Sequence, residues 1–189
     1  MNTPAHLIFG AAAFARPDRR GTFTASILGA LAPDLSLYVM VAASLWWFQI
    51  PATRVFRELY YSDAWQAVFA IDNSFVLWGL VLAIALVLRS ARAIAFAGAG
   101  LLHLTLDFPF HTHDARRHFW PVSDWVFESP VSYWDVNAHA GIVGPVELVL
   151  SIGLAVLVMR RFAALGPRLV IATLLAFELG SSGIWRFLF

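Results

Sequence analysis

Ionisable side chains occur inside stretches that are otherwise apolar, at spacings that suit a metal site. His103 and Asp107 are four residues apart in the apolar run 93–110. Residues i and i+4 lie on one face of a helix, so this imidazole and this carboxylate can bind one cation together. His6 and Asp34 lie in two earlier apolar stretches. Both side-chain types are zinc ligands, and a catalytic zinc site keeps one position for water.

The segment that follows this apolar run is rich in polar side chains. Phe108-Pro109 is predicted to end the helix, so that the next residues fold back over the same cavity. The further metal ligands expected there are His111, His113 and, from the start of the next helix, His139. Arg116 and Arg117 are expected to bind an anionic group such as a phosphate at the rim. The alternative is a solvated loop that only contacts lipid headgroups.

The composition indicates an integral membrane protein. Of the 189 residues 60% are hydrophobic and only 13% are charged, and the mean hydropathy is +0.71. A soluble domain carries about 25% charged residues. The net charge of +1 and the lack of a basic stripe argue against nucleic acid as a partner. Because the chain has no cysteine, disulfides, cysteine-bound zinc and a cysteine nucleophile are excluded.

The apolar pattern predicts an all-α, polytopic membrane helix bundle that forms a single domain over 1–189. Residues 4–15 are too short to span a bilayer, which needs about 20 residues, and are expected to form an N-terminal half-helix. Five spanning helices are expected at 22–49, 66–88, 93–110, 140–159 and 167–188. Pro33-Asp34 is expected to interrupt the first of these, with Asp34 either capping the second half or binding metal.

The distribution of arginine predicts the orientation. Three short turns, at 16–21, 89–92 and 160–168, carry eight arginines. By the positive-inside rule these turns face the cytoplasm. The longer segments 50–65 and 111–139 then face the outer side, and 111–139 forms an extracytoplasmic, histidine-rich loop. The expected location is the inner (plasma) membrane of a bacterium.

Helical rise places the intramembrane polar groups at a common depth. Counted from the arginine-rich turns at about 1.5 Å per residue, most of them lie roughly 15–22 Å into the bilayer. These residues are His6, Asp34, His103, Asp107 and Glu147. A charged side chain in hydrocarbon costs at least about 2.5–3.5 kcal/mol, so such groups face an interior and pair. A shared cation explains the coincidence, and structural hydrogen bonds between helices are the alternative.

Four short motifs resemble a known family. They are "HLIFG" at 6–10, "GALAPD" at 29–34, "HLTLDF" at 103–108 and "FWP" at 119–121. Together they are similar to the YdjM-like predicted membrane-bound metal-dependent hydrolases. The resemblance implies metal ligands at His6, Asp34, His103 and Asp107.

One family motif differs in this chain. The family has His-Arg-Gly-x-Thr-His-Ser just before the third apolar stretch, whereas this chain has Asp72-Asn73-Ser74 at the position of Thr-His-Ser. Either Asp72, Asn73 and the loop histidines replace the missing ligands, or the site has lost its metal.

The leading hypothesis is a membrane-embedded metal-dependent hydrolase with one or two divalent ions, zinc being the expected metal. Its substrate would be a membrane lipid or another amphiphilic small molecule with a phosphoester or ester bond, cleaved at the outer face. Asp72 or Glu147 would act as general base. The alternatives are a metal-ion or proton transporter, or a subunit of one, and a non-catalytic membrane partner protein.

Overall fold

The structure, a computed structural model, describes residues 1–181 as helices joined by turns and loops, with no strand in this range. The helices are α1 (Thr3–Phe14), α2 (Thr22–Ala42), α3 (Ala52–Arg54), α4 (Asp63–Asp72), α5 (Phe75–Val87), α6 (Ala91–Asp107), α7 (Ala140–Arg161) and α8 (Leu165–Ser181). The predicted all-α bundle is therefore confirmed.

Four helical segments are long and apolar enough, by length and composition, to cross a membrane. They are Thr22–Trp47, Asp63–Val87, Ala91–Phe110 and Ala140–Arg161. Helix α1, with 12 residues, is the expected half-helix. The predicted fifth span, 167–188, continues beyond the 17 residues of α8 into 182–189, outside the described residues. These features make the chain a membrane protein.

Helix α2 continues without a break through Pro33, so the prediction that Pro33-Asp34 interrupts it is wrong. A proline inside a helix removes one backbone donor and leaves nearby carbonyl groups short of partners. Two side chains from other helices supply donors there. His103 Nδ1 donates to the Ala30 carbonyl at 2.7 Å, and Asn73 Nδ2 to the Pro33 carbonyl at 3.5 Å. Asp34 therefore lies inside the helix rather than capping it.

Helices α2 and α6 approach each other unusually closely. A Cβ atom on Gly29 would lie 2.0 Å from the carbonyl oxygen of Phe96. A Cβ atom on Gly100 would lie 2.1 Å from the Trp78 ring, on α5. The small residues at 95–100 are thus the close-packing surface that such stretches form between membrane helices. This contact holds His103 against α2.

The arginine-rich turns lie together at one end of the bundle. A side chain added at Gly21 would meet Arg92 Cδ at 2.8 Å, so the first and second turns touch. The rings of Phe23 and Phe162 lie 5.4 Å apart, which brings the third turn to the same place.

The two long segments 50–65 and 111–139 meet elsewhere. Arg116 Nη2 donates a hydrogen bond of 2.5 Å to the Tyr60 hydroxyl and so joins them. The segments grouped by charge in the sequence are therefore also grouped in space. That the arginine-rich end faces the cytoplasm stays a prediction.

Candidate metal centre and its cavity

Side chains from three helices converge at the centre of the bundle. His6 of α1 and His103 and Asp107 of α6 are buried, and each offers a ligand atom within 4.8 Å of the others. Asp107 Oδ1 lies 2.8 Å from His6 Nε2, and its Oδ2 lies 3.2 Å from His103 Nε2. Asp34 of α2 adds Oδ1 at 3.6 Å from His103 Nε2. The ligands predicted from the apolar stretches are thus brought together.

The hydrogen bonds of His103 decide what its second nitrogen can do. Nδ1 must donate to the Ala30 carbonyl, because a carbonyl oxygen only accepts. In the neutral ring Nε2 then carries a lone pair, yet it faces oxygens of Asp107 and Asp34 and has no hydrogen-bond partner among residues 1–181. Either a proton or a metal cation must lie between these groups. A backbone carbonyl that holds the remote nitrogen is also the usual support of a metal-binding histidine.

Asp107 has two further neighbours. The nitrogen of Met1 lies 2.5 Å from its Oδ1, and His111 Nε2 lies 3.4 Å from its Oδ2. The other nitrogen of His111 is 2.8 Å from Asp114 Oδ2, which also accepts from Trp134 Nε1. Burial by itself lowers the pKa of His111, but the carboxylates of Asp114 and Asp107 outweigh it and raise the pKa to about 9. His111 thus links the buried cluster to the loop above it.

The cluster lies at a cavity with a volume of about 190 Å³. Its acidic and basic side chains are Asp34, Asp107, His111, Asp114, Arg116 and His118, and three tyrosines, Tyr38, Tyr60 and Tyr133, also line it. The rest is mainly apolar and includes Leu37 and Val41 of α2. Drug-sized ligands occupy pockets of about 300–1,000 Å³, so this cavity suits a headgroup-sized part of an amphiphile rather than a whole one.

A break between α4 and α5 holds the loop over the cavity. Ser74 Oγ donates to the carbonyl of Trp120, and the backbone N–H of Phe75 donates to the His118 carbonyl at 2.8 Å. His118 Nδ1 in turn donates to the carbonyl of Asn73 at 2.9 Å. Asn73 and Ser74, two of the three residues that stand where the resembled family has Thr-His-Ser, therefore anchor the loop and place the His118 ring at the cavity.

The pKa of His118 is lowered to about 4, mainly because burial disfavours its charged form. Its ring is therefore neutral at pH 7. Since Nδ1 carries the proton that is donated to Asn73, Nε2 keeps a free lone pair. A neutral imidazole with a lone pair at a cavity can accept a hydrogen bond from water, and the nearby carboxylate of Asp107 favours the protonated form of the ring.

Several predicted site residues do not line this cavity. They are His6, His103, Asp72, Glu147, His113, His139 and Arg117. The buried cluster therefore reaches the cavity through the carboxylates of Asp107 and Asp34. His113 and His139 are exposed, and Arg117 lies 3.5 Å from the exposed carboxylate of Asp124.

Comparisons of this chain with protein-family models, with curated proteins and with solved structures gave no match. The resemblance to the YdjM-like hydrolases therefore stays a prediction that rests on short motifs.

Glu147 forms a second buried group with a residue that the sequence did not single out. Its Oε1 accepts from the backbone N–H of Asn2 at 2.7 Å, and Asn2 Nδ2 donates to Glu178 Oε1 at 3.2 Å. Both glutamates are buried. Glu178 is ten residues from Arg168, so the same count of helical rise, roughly 15 Å, predicts its depth. This count from Arg168 was the sequence signal that could have placed Glu178 among the intramembrane polar groups.

Sequence reasoning also gave too little weight to His118, Asn73 and Tyr60. His118 lies in the same loop as His113, five residues further on, and nothing in its spacing distinguishes the two. Asn73 was visible only as a departure from a family motif. Tyr60 comes from a different loop, and its contact with Arg116 depends on how two long segments pack.

Proposed function

We propose that this protein is a membrane-embedded, metal-dependent hydrolase that cleaves an ester or phosphoester bond of an amphiphile. The observation that carries the proposal is the arrangement at His103, whose buried Nε2 faces the carboxylates of Asp107 and Asp34. A cation there would be held by two imidazoles and one or two carboxylates, with His6 as the second imidazole.

The donor set fits zinc. Two histidines and a carboxylate are the ligands of several catalytic zinc sites, which leave a fourth position for water. The His6 and His103 rings are stacked with centroids 3.7 Å apart, so two positive charges on them would repel each other, and two neutral rings suit metal binding. A divalent ion would supply Lewis acidity and help to activate a water molecule.

The chain's own residues would bind the substrate and move protons. In hydrolysis the water oxygen forms a new bond to carbon or phosphorus, the ester bond breaks, and the leaving oxygen takes up a proton. We assign acceptance of the water's proton to Nε2 of His118. Asp72 and Glu147, the bases predicted from the sequence, do not line the cavity.

The packing below the site supports a hydrolase over a carrier. A carrier needs polar groups that continue towards the arginine-rich end. On that side, α1 packs against α7 and α8 through an apolar core that includes Ile8, Ala155, Val158 and Ile171. These side chains are fully buried, which supports access to the polar region from the opposite side.

The test is a metal and activity assay on the full chain in detergent. Protein purified without chelators is analysed for zinc, manganese and iron, and is then assayed with a chromogenic short-chain ester and a chromogenic alkyl phosphodiester. We expect bound metal, together with hydrolysis that EDTA removes and zinc restores. If the folded protein neither retains nor takes up a divalent ion, the proposal is wrong and the protein is a non-catalytic membrane protein. Metal flux into liposomes without hydrolysis would favour the carrier.

His118→Gln is expected to lower kcat by about a hundredfold or more, the usual range for loss of a general base. The metal content should stay unchanged, because His118 belongs to the loop and not to the cluster of His6, His103 and Asp107. Metal analysis and steady-state kinetics on the same preparation check both parts. Wild-type kcat in the variant would remove His118 from the mechanism.

A further inference from the structure

We infer that Arg116 is a built receptor for a phosphate group, and that the substrate is therefore an anionic phosphoester rather than a neutral ester. The statement about the substrate rests on the proposed function. The statement about anion binding does not, because it depends only on the surroundings of the guanidinium group.

Arg116 is buried without a carboxylate partner. Only 7% of it is exposed, and among residues 1–181 no carboxylate oxygen lies within 4.0 Å of its side-chain nitrogens. The nearest acid in sequence, Asp114, is instead hydrogen-bonded to His111 and Trp134. Burying an unpaired charge is costly, so residues of this kind normally have an anionic partner. That partner is not supplied by the described part of the chain.

The guanidinium is nonetheless held in one position. Its central carbon lies 4.1 Å from the centre of the Phe69 ring and 4.8 Å from that of Tyr60, both of which give cation–π stabilisation. Nη2 donates to the Tyr60 hydroxyl at 2.5 Å. Burial raises the pKa of Tyr60 to about 12 in spite of the adjacent Arg116, so the phenol stays neutral and does not offset the arginine charge.

The other end of the guanidinium has no hydrogen-bond partner in the described part of the chain. Nη1 is buried and has no hydrogen-bond partner among the described residues, while Arg116 lines the cavity next to His118 and Asn73. Its planar N–H groups match the oxygens of a phosphate, which can accept two parallel hydrogen bonds. A neutral carboxylic ester offers no charge to this group.

The neighbouring arginine lacks these features. The Arg117 side chain is 31% exposed, and the acid that it contacts, Asp124, is itself exposed at the surface. It does not line the cavity. The sequence predicted a phosphate-binding role for both arginines, and the structure separates them.

The charges at the cavity favour a group with several oxygens. Besides Arg116, the lining carries the carboxylates of Asp34, Asp107 and Asp114. His111 contacts two of these acids, Asp107 and Asp114, and a metal ion would offset their charge further. A phosphoester has more than one non-bridging oxygen, so one can face the guanidinium while another faces a cation. Either a phospholipid headgroup or a smaller phosphate ester has this chemistry.

The test measures anion binding apart from catalysis. Full-length protein in neutral detergent, loaded with zinc, is titrated with hexyl phosphate, with inorganic phosphate and with hexyl acetate, and binding is followed by calorimetry. Flotation with vesicles of neutral lipid, with and without phosphatidic acid, tests a lipid source. We expect hexyl phosphate to bind and hexyl acetate not to bind. Tighter binding of inorganic phosphate than of hexyl phosphate would point to a free phosphate as the source.

Arg116→Gln should weaken hexyl phosphate binding by about ten- to a hundredfold, the usual cost of losing a hydrogen bond to a charged group. Arg57→Gln, which removes an exposed arginine from the other loop, is the matched control and should bind like the wild type. Arg116→Lys keeps the charge and is the variant to measure if Arg116→Gln does not fold. It should bind more weakly than the wild type because lysine cannot make two parallel hydrogen bonds.

Unchanged binding in folded Arg116→Gln or Arg116→Lys, or equal loss in Arg117→Gln, would overturn the assignment. So would a wild-type protein that binds hexyl acetate as well as hexyl phosphate. Binding of phosphate that depends on Arg116, in a protein without hydrolytic activity, would refute the proposed function and leave the anion receptor standing.

Discussion

His103→Gln is expected to remove the bound divalent ion and to lower the rate of hydrolysis by at least about a hundredfold. Even mutation of a residue that only hydrogen-bonds to a metal ligand lowers metal affinity or activity by about 10–100-fold. Glutamine keeps a polar side chain of similar length, but it cannot present a ring nitrogen to Asp107 and Asp34. Metal analysis of the purified variant and an assay with the chromogenic substrates check this expectation.

His113→Gln is the matched control, because His113 is an exposed histidine that does not line the cavity. It should retain metal and activity. The comparison also separates a metal site from a structural hydrogen bond. If His103→Gln unfolds the protein while wild-type protein holds no metal, the cluster serves only to join α1, α2 and α6. A folded His103→Gln protein that keeps its metal would contradict the assigned ligand.

Gly29→Ala is expected to cause the largest loss of stability, about 3 kcal/mol, which is the upper part of the usual range for overpacking. The added methyl group would lie 2.0 Å from the Phe96 carbonyl oxygen and 2.7 Å from its carbon. Both are backbone atoms, so no side chain can rotate away and the two helices must separate. Thermal unfolding in detergent, followed by tryptophan fluorescence, measures the effect.

Gly153→Ala on α7 is the control, since nothing lies within 4 Å of the position of its Cβ atom. It should be as stable as the wild type or slightly more so, because alanine favours the helix by about 1 kcal/mol. Gly29→Ala should also weaken metal binding, because His103 is bonded to the carbonyl of Ala30, the next residue on α2. Equal melting temperatures for the two variants would refute the close contact between α2 and α6.

The main features of the fold follow from local properties of the chain. Long apolar runs must form helices in a bilayer, since backbone groups have no other partners there. The pairing of His103 with Asp107 follows from the helical repeat alone. Depth is also a local quantity, because it depends on counting residues from a charged turn, and the count placed His6 and Asp34 at the level where the structure has them beside His103.

The sequence did not predict which polar residues share the cavity. Depth along a helix says nothing of rotation about its axis, so Glu147 was predicted to be a general base at the site, although its carboxylate accepts a hydrogen bond from Asn2 away from the cavity. Loops also lack the regular backbone repeat that, in a helix or strand, predicts the direction of each side chain. Arg116 and Arg117 are therefore equivalent in the sequence, while packing on Phe69 and Tyr60 buries only the first. The same holds for His118: the hydrogen bond from its ring to the Asn73 carbonyl directs it to the cavity.

The sequence by itself determined that this is a helical membrane protein with histidine and aspartate inside its apolar helices, because hydropathy and helical spacing are properties of single segments. Only the tertiary structure decided that Pro33 stays within a continuous helix, that the Asp72–Ser74 break anchors a loop, and that one arginine faces the cavity. The reason is that each of these depends on a partner from a distant part of the chain, which replaces a lost backbone bond or surrounds a charge.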